Sequence, residues 1–156
     1  MNHTSQASSL PPPPSEMESK FYYAGLPSSP TLVARISTTD TPWEAPTGPE
    51  AYTRRKELSG VGNHPIRDAW EEGGLGVKVY TLLDAMNVKW SSIDIVRIGY
   101  SEESFAPVVL WIGVNPASLS GVDGVVVVHK CREILEENCI NDVDVEIRET
   151  IRWPTY

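Results

Sequence analysis

The sequence has no long apolar run. Its most apolar stretch, Val108 to Val114, is far short of the roughly 18 residues a membrane-spanning helix needs, so no membrane association is expected. Basic residues are few: 13 lysines and arginines stand against 21 aspartates and glutamates, for a formal net charge of -8. Such a surface repels phosphate backbones and anionic headgroups, which argues against general nucleic-acid binding. Cysteine is scarce too, with only Cys131 and Cys139. On one continuous helix that spacing separates them by about 12 Å, beyond disulfide reach, so free thiols in a reducing compartment are expected. The opening MNHTSQASSLPPPPSEMESK lacks both a basic start and an apolar stretch of signal-peptide length. These absences together predict an intracellular, cytoplasmic protein.

Catalytic signatures are missing as well. The loop in VVLWIGVNPASLSG has Gly113 and Gly121 separated by seven residues with no lysine, which does not make a phosphate-binding P-loop. The dinucleotide fingerprint G-x-G-x-x-G and the hydrolase elbow G-x-S-x-G do not occur. Asn115 to Gly121 therefore reads as a turn, with Ser118 or Ser120 capping the helix that follows. His129 and Cys131 are two apart, and on a helix such residues point about 200° apart, so no zinc site converges there. A Cys131 and His64 catalytic pair competes with a plain buried thiol in an apolar stripe, the commoner case. His64 precedes Pro65 and is the histidine expected to be exposed or to cap a helix. The acidic pairs Glu71/Glu72, Glu102/Glu103 and Glu136/Glu137 lie on polar faces, where solvation accounts for them better than acid-base catalysis does. No cofactor and no metal are expected.

Proline is abundant, and nine of the 13 fall within the first 50 residues. Residues 1–20 are rich in Ser and Pro without apolar periodicity and read as a disordered tail, stiffened at Pro11 to Pro14 by polyproline II geometry. Residues 21–150 read as one domain and 151–156 as a C-terminal tail. TLVARIS predicts a strand near 31–36 by its alternation. The long irregular connection after it carries the basic cluster Arg54, Arg55 and Lys56, expected to be a solvated loop rather than a dock for an acidic partner.

Pro65 with Asp68, Glu71 and Glu72 marks a helix start. The GGLG at 73–76 must weaken that helix before Leu75, Val79, Leu82, Leu83 and Met86 form an apolar face. SIDIVRIGY and VVLWIGV predict a hairpin whose second strand is buried. Gly121 to Asn138 holds four consecutive valines but reads as a helix on the recurrence of Val128, Cys131, Ile134 and Leu135. VDVEIRE alternates cleanly, as in a strand with one wet face.

In order this gives a ferredoxin-like β-α-β-β-α-β arrangement, α+β, with two helices on one face of a small antiparallel-rich sheet. The alternative is a three-stranded α+β sheet with an irregular N-terminal wrap. Of the five tryptophans, Trp111 and Trp70 read as core. Trp43 and Trp153, with Tyr52, lie in segments outside the firm elements and form the candidate interaction surface for a protein partner.

FYYAGLPSSPTLVAR, TGPEAYTRRKELSGVGNHP, DIVRIG, VVLWIGVNPASLSG and CREILEENCINDVDVEIRET together resemble a family of uncharacterised proteins abundant in mushroom-forming fungi, over about Phe21 to Thr150. In longer members this region looks like an N-terminal module ahead of a segment similar to trypsin-like peptidases. None of His3, His64 and His129 sits in a matching catalytic-histidine motif, so the resemblance implies no catalytic role. The expected function is a non-catalytic module that docks a protein partner or a neighbouring domain. The alternative is the front module of a peptidase-like protein without its catalytic part, and a small-ligand enzyme using Asn115 to Gly121 is a third reading.

Overall fold

The structure, a computed structural model, describes residues 10–45, 47, 55–101, 103 and 105–150. In chain order its elements are α1 (Glu16–Phe21), β1 (Thr31–Arg35) followed by a 3₁₀ turn (Ile36–Thr38), β2 (Lys56–Ser59), α2 (Pro65–Glu71), α3 (Leu75–Ala85), β3 (Trp90–Tyr100), β4 (Val108–Val114), α4 (Gly121–Glu137) and β5 (Val143–Glu149). The strands form one five-stranded sheet in the order β1-β5-β4-β3-β2. β4 and β5 run parallel, and the other neighbours are antiparallel.

The α+β class is as expected, but the ferredoxin-like order is not. That arrangement inserts a strand into each βαβ unit. Here β4 and β5 pair directly, Leu110 opposite Val145 and Ile112 opposite Ile147, and β1 lies on the outer side of β5. The 17 residues of α4 span about 25 Å, close to the rise of the seven-residue strand β4, which returns the chain to the end of the sheet where β4 began. The three-stranded alternative fails too, because β1 and the unforeseen β2 complete a sheet of five.

α2, α3 and α4 bury their apolar faces on one side of the sheet. Leu75, Val79 and Leu83 of α3 and Val128, Cys131 and Leu135 of α4 share a core with Leu110, Ile112, Val145 and Ile147. All seven residues of β4 are buried, as its uninterrupted apolar run requires when both faces of a strand are covered. The helix expected from Pro65 is in fact two. Gly74 adopts a left-handed φ of 72°, a conformation that glycine enters without steric cost, and the chain turns there between α2 and α3.

α4 begins where Ser120 accepts a 3.1 Å hydrogen bond from the Asp123 amide, the cap anticipated from sequence. Ser120→Ala is expected to lower stability by about 1 kcal/mol, visible as a drop in the urea midpoint with an unchanged slope.

Two further expectations need correction. The stretch read as a disordered tail ends in α1, whose first turn is capped by Ser15 accepting from the Glu18 amide at 3.1 Å. The helix was missed because its one buried residue is Glu18, so it carries no apolar stripe. The second correction concerns β5. Its supposedly wet face is covered: Glu146 and Arg148 are 2% and 9% exposed. Tyr23, Leu26 and Leu32 pack over this side of the sheet with Ile98, Val109 and Trp111.

Candidate functional site

Strand alternation places Asp144, Glu146 and Arg148 in a row on the second face of the sheet. The chain after α1 lays Tyr22 and Tyr23 across that row. The Tyr23 hydroxyl donates to Glu146 Oε1 at 2.7 Å and the Tyr22 hydroxyl to Oε2 at 3.1 Å. Trp111 Nε1 donates in turn to the Tyr23 hydroxyl at 3.0 Å. Lys56, from the edge strand β2, holds its ammonium 3.1 Å from the centroid of the Tyr22 ring, a cation–π contact made inside the protein. Arg35 completes the group by donating to Glu18 at 2.7 Å and to Ser37 and Thr41.

Burial dominates the electrostatics of this row. It pushes the Glu146 carboxyl up to about 8, helped by the adjacent Asp144 and opposed by Lys56. It brings Lys56 down to about 8, with Glu146 pulling the other way and Arg35 adding to the fall. The phenols of Tyr22 and Tyr23 are both driven well above their usual range, by burial first and then by Glu146. Asp144 Oδ2 accepts from Ser37 at 2.7 Å, while its buried Oδ1 has no hydrogen-bond partner among the described residues.

Beside this row lies a cleft of about 420 Å³ between the Leu26–Thr31 loop and the sheet, lined by Leu26, Ser28, Ser29, Leu58, Trp111 and Arg148, among others. The Arg148 guanidinium stacks on Trp111 with Cζ 3.4 Å from the ring centroid. Its Nη2 makes only long contacts of 3.4 Å to Ser92 and Asp94, and its Nη1 is buried with no partner among the described residues. Ser28 and Ser29 hold positive φ values of 67° and 37°. Non-glycine residues rarely adopt this backbone, and such strain gathers at binding sites.

Of the residues singled out from sequence, Trp43 is half-buried and lines a smaller cavity of about 290 Å³ with Tyr22, Arg35, Lys56 and Tyr100. Tyr52 and Trp153 lie outside the described residues, and so does Arg54 of the basic cluster. The solvated-loop reading of that cluster fails at Lys56, which is 7% exposed.

His64 caps α2, its Nδ1 accepting from the Ile66 amide at 3.1 Å. Its Nε2 lies 3.0 Å from both carboxylate oxygens of Asp142, and its side chain is 8% exposed. The exposed histidine of the sequence reading is thus pinned between two elements. Cys131 is fully buried, and burial pushes its thiol up to about 12, far from the thiolate a nucleophile needs. Both cysteines are free.

The Asn115 to Gly121 loop is a turn and a cap. Ser118 donates to the Asn115 carbonyl at 2.6 Å, and the Ala117 amide donates to Glu149 at 2.8 Å. One N–H of the loop is thereby taken by the protein's own carboxylate.

Sequence reasoning missed the tyrosine–glutamate row and the cleft. The one available signal was the tyrosine pair of FYYAGLP, whose apolar rings and polar tips suit cover over buried charge. Among the described residues no group of three or more His, Cys, Asp or Glu could hold a metal ion, and no helix is long and apolar enough to cross a membrane. No family model, no curated protein and no solved structure matches this chain.

Proposed function

We propose that this chain is a non-catalytic α+β binding module that takes a protruding group of a protein partner into the cleft between the Leu26–Thr31 loop and the sheet. The carrying observation is the cleft itself. It pairs the apolar side chains of Leu26, Leu58 and Trp111 with a few polar ones, Ser28, Ser29 and Arg148, the combination that marks a recognition site. Its volume falls within the range of pockets that hold ligands.

A binding role is favoured over catalysis by how the reactive groups are used. Both oxygens of Glu146 accept from tyrosines, Lys56 sits on an aromatic ring, and His64 is held by Asp142. A general acid or base must reach a substrate proton, and these groups are turned inward.

The test uses a neutral probe, so that it reads the cleft without its charge. Indole titrated into the intact 15N-labelled chain should shift the Trp111 indole N–H signal and the amides of Ser28 and Ser29. Shifts confined to other parts of the protein, or none at indole's solubility limit, would remove the cleft as the binding site.

A further inference from the structure

We infer that the open edge of β3 docks a second copy of this chain, the two edges pairing antiparallel about a two-fold axis at Ile93 and joining two five-stranded sheets into one. This surface is separate from the cleft, and neither reading depends on the other.

β3 is longer than its outer neighbour. It has 11 residues, and β2 covers only Arg97 to Tyr100 of its outer side. After Ser59 the chain turns away, carrying Val61 into the core on the helix side. Among the described residues no strand pairs with the outer side of Trp90 to Val96. Burial changes at the same point: Ile98 and Gly99 are buried, whereas Trp90 to Arg97 are not.

The backbone of this segment is aimed at a partner. The Ile98 amide donates to the Pro107 carbonyl at 3.2 Å on the β4 side, and the Ser101 amide to the Arg55 carbonyl at 3.1 Å on the β2 side. Backbone groups in an antiparallel ladder alternate in direction from residue to residue, and the register with β4 is unbroken from Ser92 to Arg97. The N–H and C=O of Ile93 and Ile95 therefore point out of the edge, where such groups form a template for another strand.

Self-complementarity makes that strand a second copy. Ile93 is the midpoint of the free segment Trp90 to Val96, so two such segments overlap end to end when Ile93 lies opposite itself. In that register Ile93 exchanges two backbone bonds with its counterpart. Asp94 of each copy then meets Ser92 of the other, a hydroxyl that donates to a carboxylate. Asp94 is the one charged side chain of the segment, so no like charges stand directly opposite. Its contact with Arg148 at 3.4 Å also brings it to the edge partly neutralised.

An apolar flank extends the surface. Val77 and Tyr80 of α3 are 54% and 38% exposed, and residues three apart share one stripe of a helix. Tyr80 stacks on Trp90 at the start of the free segment, with ring centroids 6.1 Å apart. A two-fold axis perpendicular to the sheet keeps the helices of both copies on one side, where these stripes continue the interface beyond the strands. A two-fold contact of this kind closes on itself and ends at the dimer.

The test follows the intact chain by sedimentation equilibrium from about 1 to 500 µM, a range that spans micromolar dissociation constants, and by amide hydrogen exchange at both ends of it. The mass is expected to rise to twice that of the chain. At the higher concentration the Ile93 and Ile95 amides should slow by at least about tenfold, more than those of Asp94 and Val96, which already bond to β4. Ser92→Asp sets a carboxylate opposite Asp94 twice in the dimer and should weaken association by about tenfold. Within one copy the change is tolerable, because Arg148 Nη2 lies 3.4 Å from the Ser92 hydroxyl.

A chain that stays monomeric through this range would overturn the second copy as the occupant. A dimer in which Ile93 and Ile95 exchange no more slowly, or one untouched by Ser92→Asp, would overturn the β3 edge as its site. The exchange reading uses the unaltered chain, so it decides the matter even where the variant fails to fold.

Discussion

Replacing Arg35 by alanine is expected to cost about 3–5 kcal/mol, a large share of the stability of a domain this size. The Arg35 side chain is 1% exposed and its partner Glu18 9%, with Nε donating to Glu18 Oε2 at 2.7 Å. Nη1 donates to Ser37 at 2.9 Å, and Nη2 to the Thr41 carbonyl at 2.8 Å. Alanine removes every one of these bonds at once and strands a buried carboxylate at Glu18. Breaking a buried pair from one side is costly because the remaining charge keeps its desolvation penalty.

The six residues of α1 are too few to stay helical alone, so α1 should leave the sheet with the pair. Glu18→Gln should cost less, and the double variant less than the sum of the two singles, because the pair's interaction is then counted once. Urea denaturation with amide exchange across residues 16–22 reads both effects. A cost under about 1 kcal/mol with α1 still protected would mean that Arg35 behaves as a surface pair and that the docking account is wrong.

The second large effect is a pH dependence. Glu146 has its folded pKa raised to about 8, above that of an unfolded carboxylate. The folded state then holds a proton that the unfolded state has lost, so the contribution is fully present below the unfolded pKa. It is lost as pH rises from the ordinary carboxylate range through about 8. Lys56 has the opposite sign: its pKa is lowered to about 8, so its contribution is present above the unfolded lysine pKa and is lost as pH falls through about 8. Together the two groups predict a stability minimum near pH 8.

The charged and titratable groups that face Glu146 are Asp144 on its own strand, Lys56 from β2, Arg35 from β1, and Tyr22 and Tyr23 from the segment after α1. Glu146→Gln keeps the shape and the neutral form. The difference in unfolding free energy between wild type and Glu146→Gln should therefore be small near pH 5 and reach on the order of 3 kcal/mol in favour of the variant by pH 8. A difference of the reverse sign would mean that Glu146 is ionised in the folded state, stabilised by Lys56 and the two tyrosine donors.

These predictions turn on residues whose types were plain in the sequence and whose partners were not. The alternation Val143, Val145, Ile147 against Asp144, Glu146, Arg148 located β5 correctly, because alternation reports the two faces of a strand. It says nothing of what covers the second face. Tyr22 and Tyr23 reach Glu146 across more than 120 positions of chain, and no local pattern encodes such a contact. Lys56 was misread for the same reason: a lysine beside two arginines looks solvated until the tyrosines that cover it are known. The cleft brings Leu26, Leu58, Trp111 and Arg148 from four separate segments, so it had no linear signature.

By itself the sequence determined the local structure: the helix start at Pro65, the break at the glycines before Leu75, the buried run of β4, the serine cap of α4 and the free thiols. Each follows from a residue's own conformational preference or from a period a few residues long. Tertiary structure alone decided the strand order, the burial of the charged face of β5 and the place of the cleft. Each is set by contacts between segments distant in the chain, such as Leu110 opposite Val145 and Tyr23 on Glu146, which no short-range period encodes.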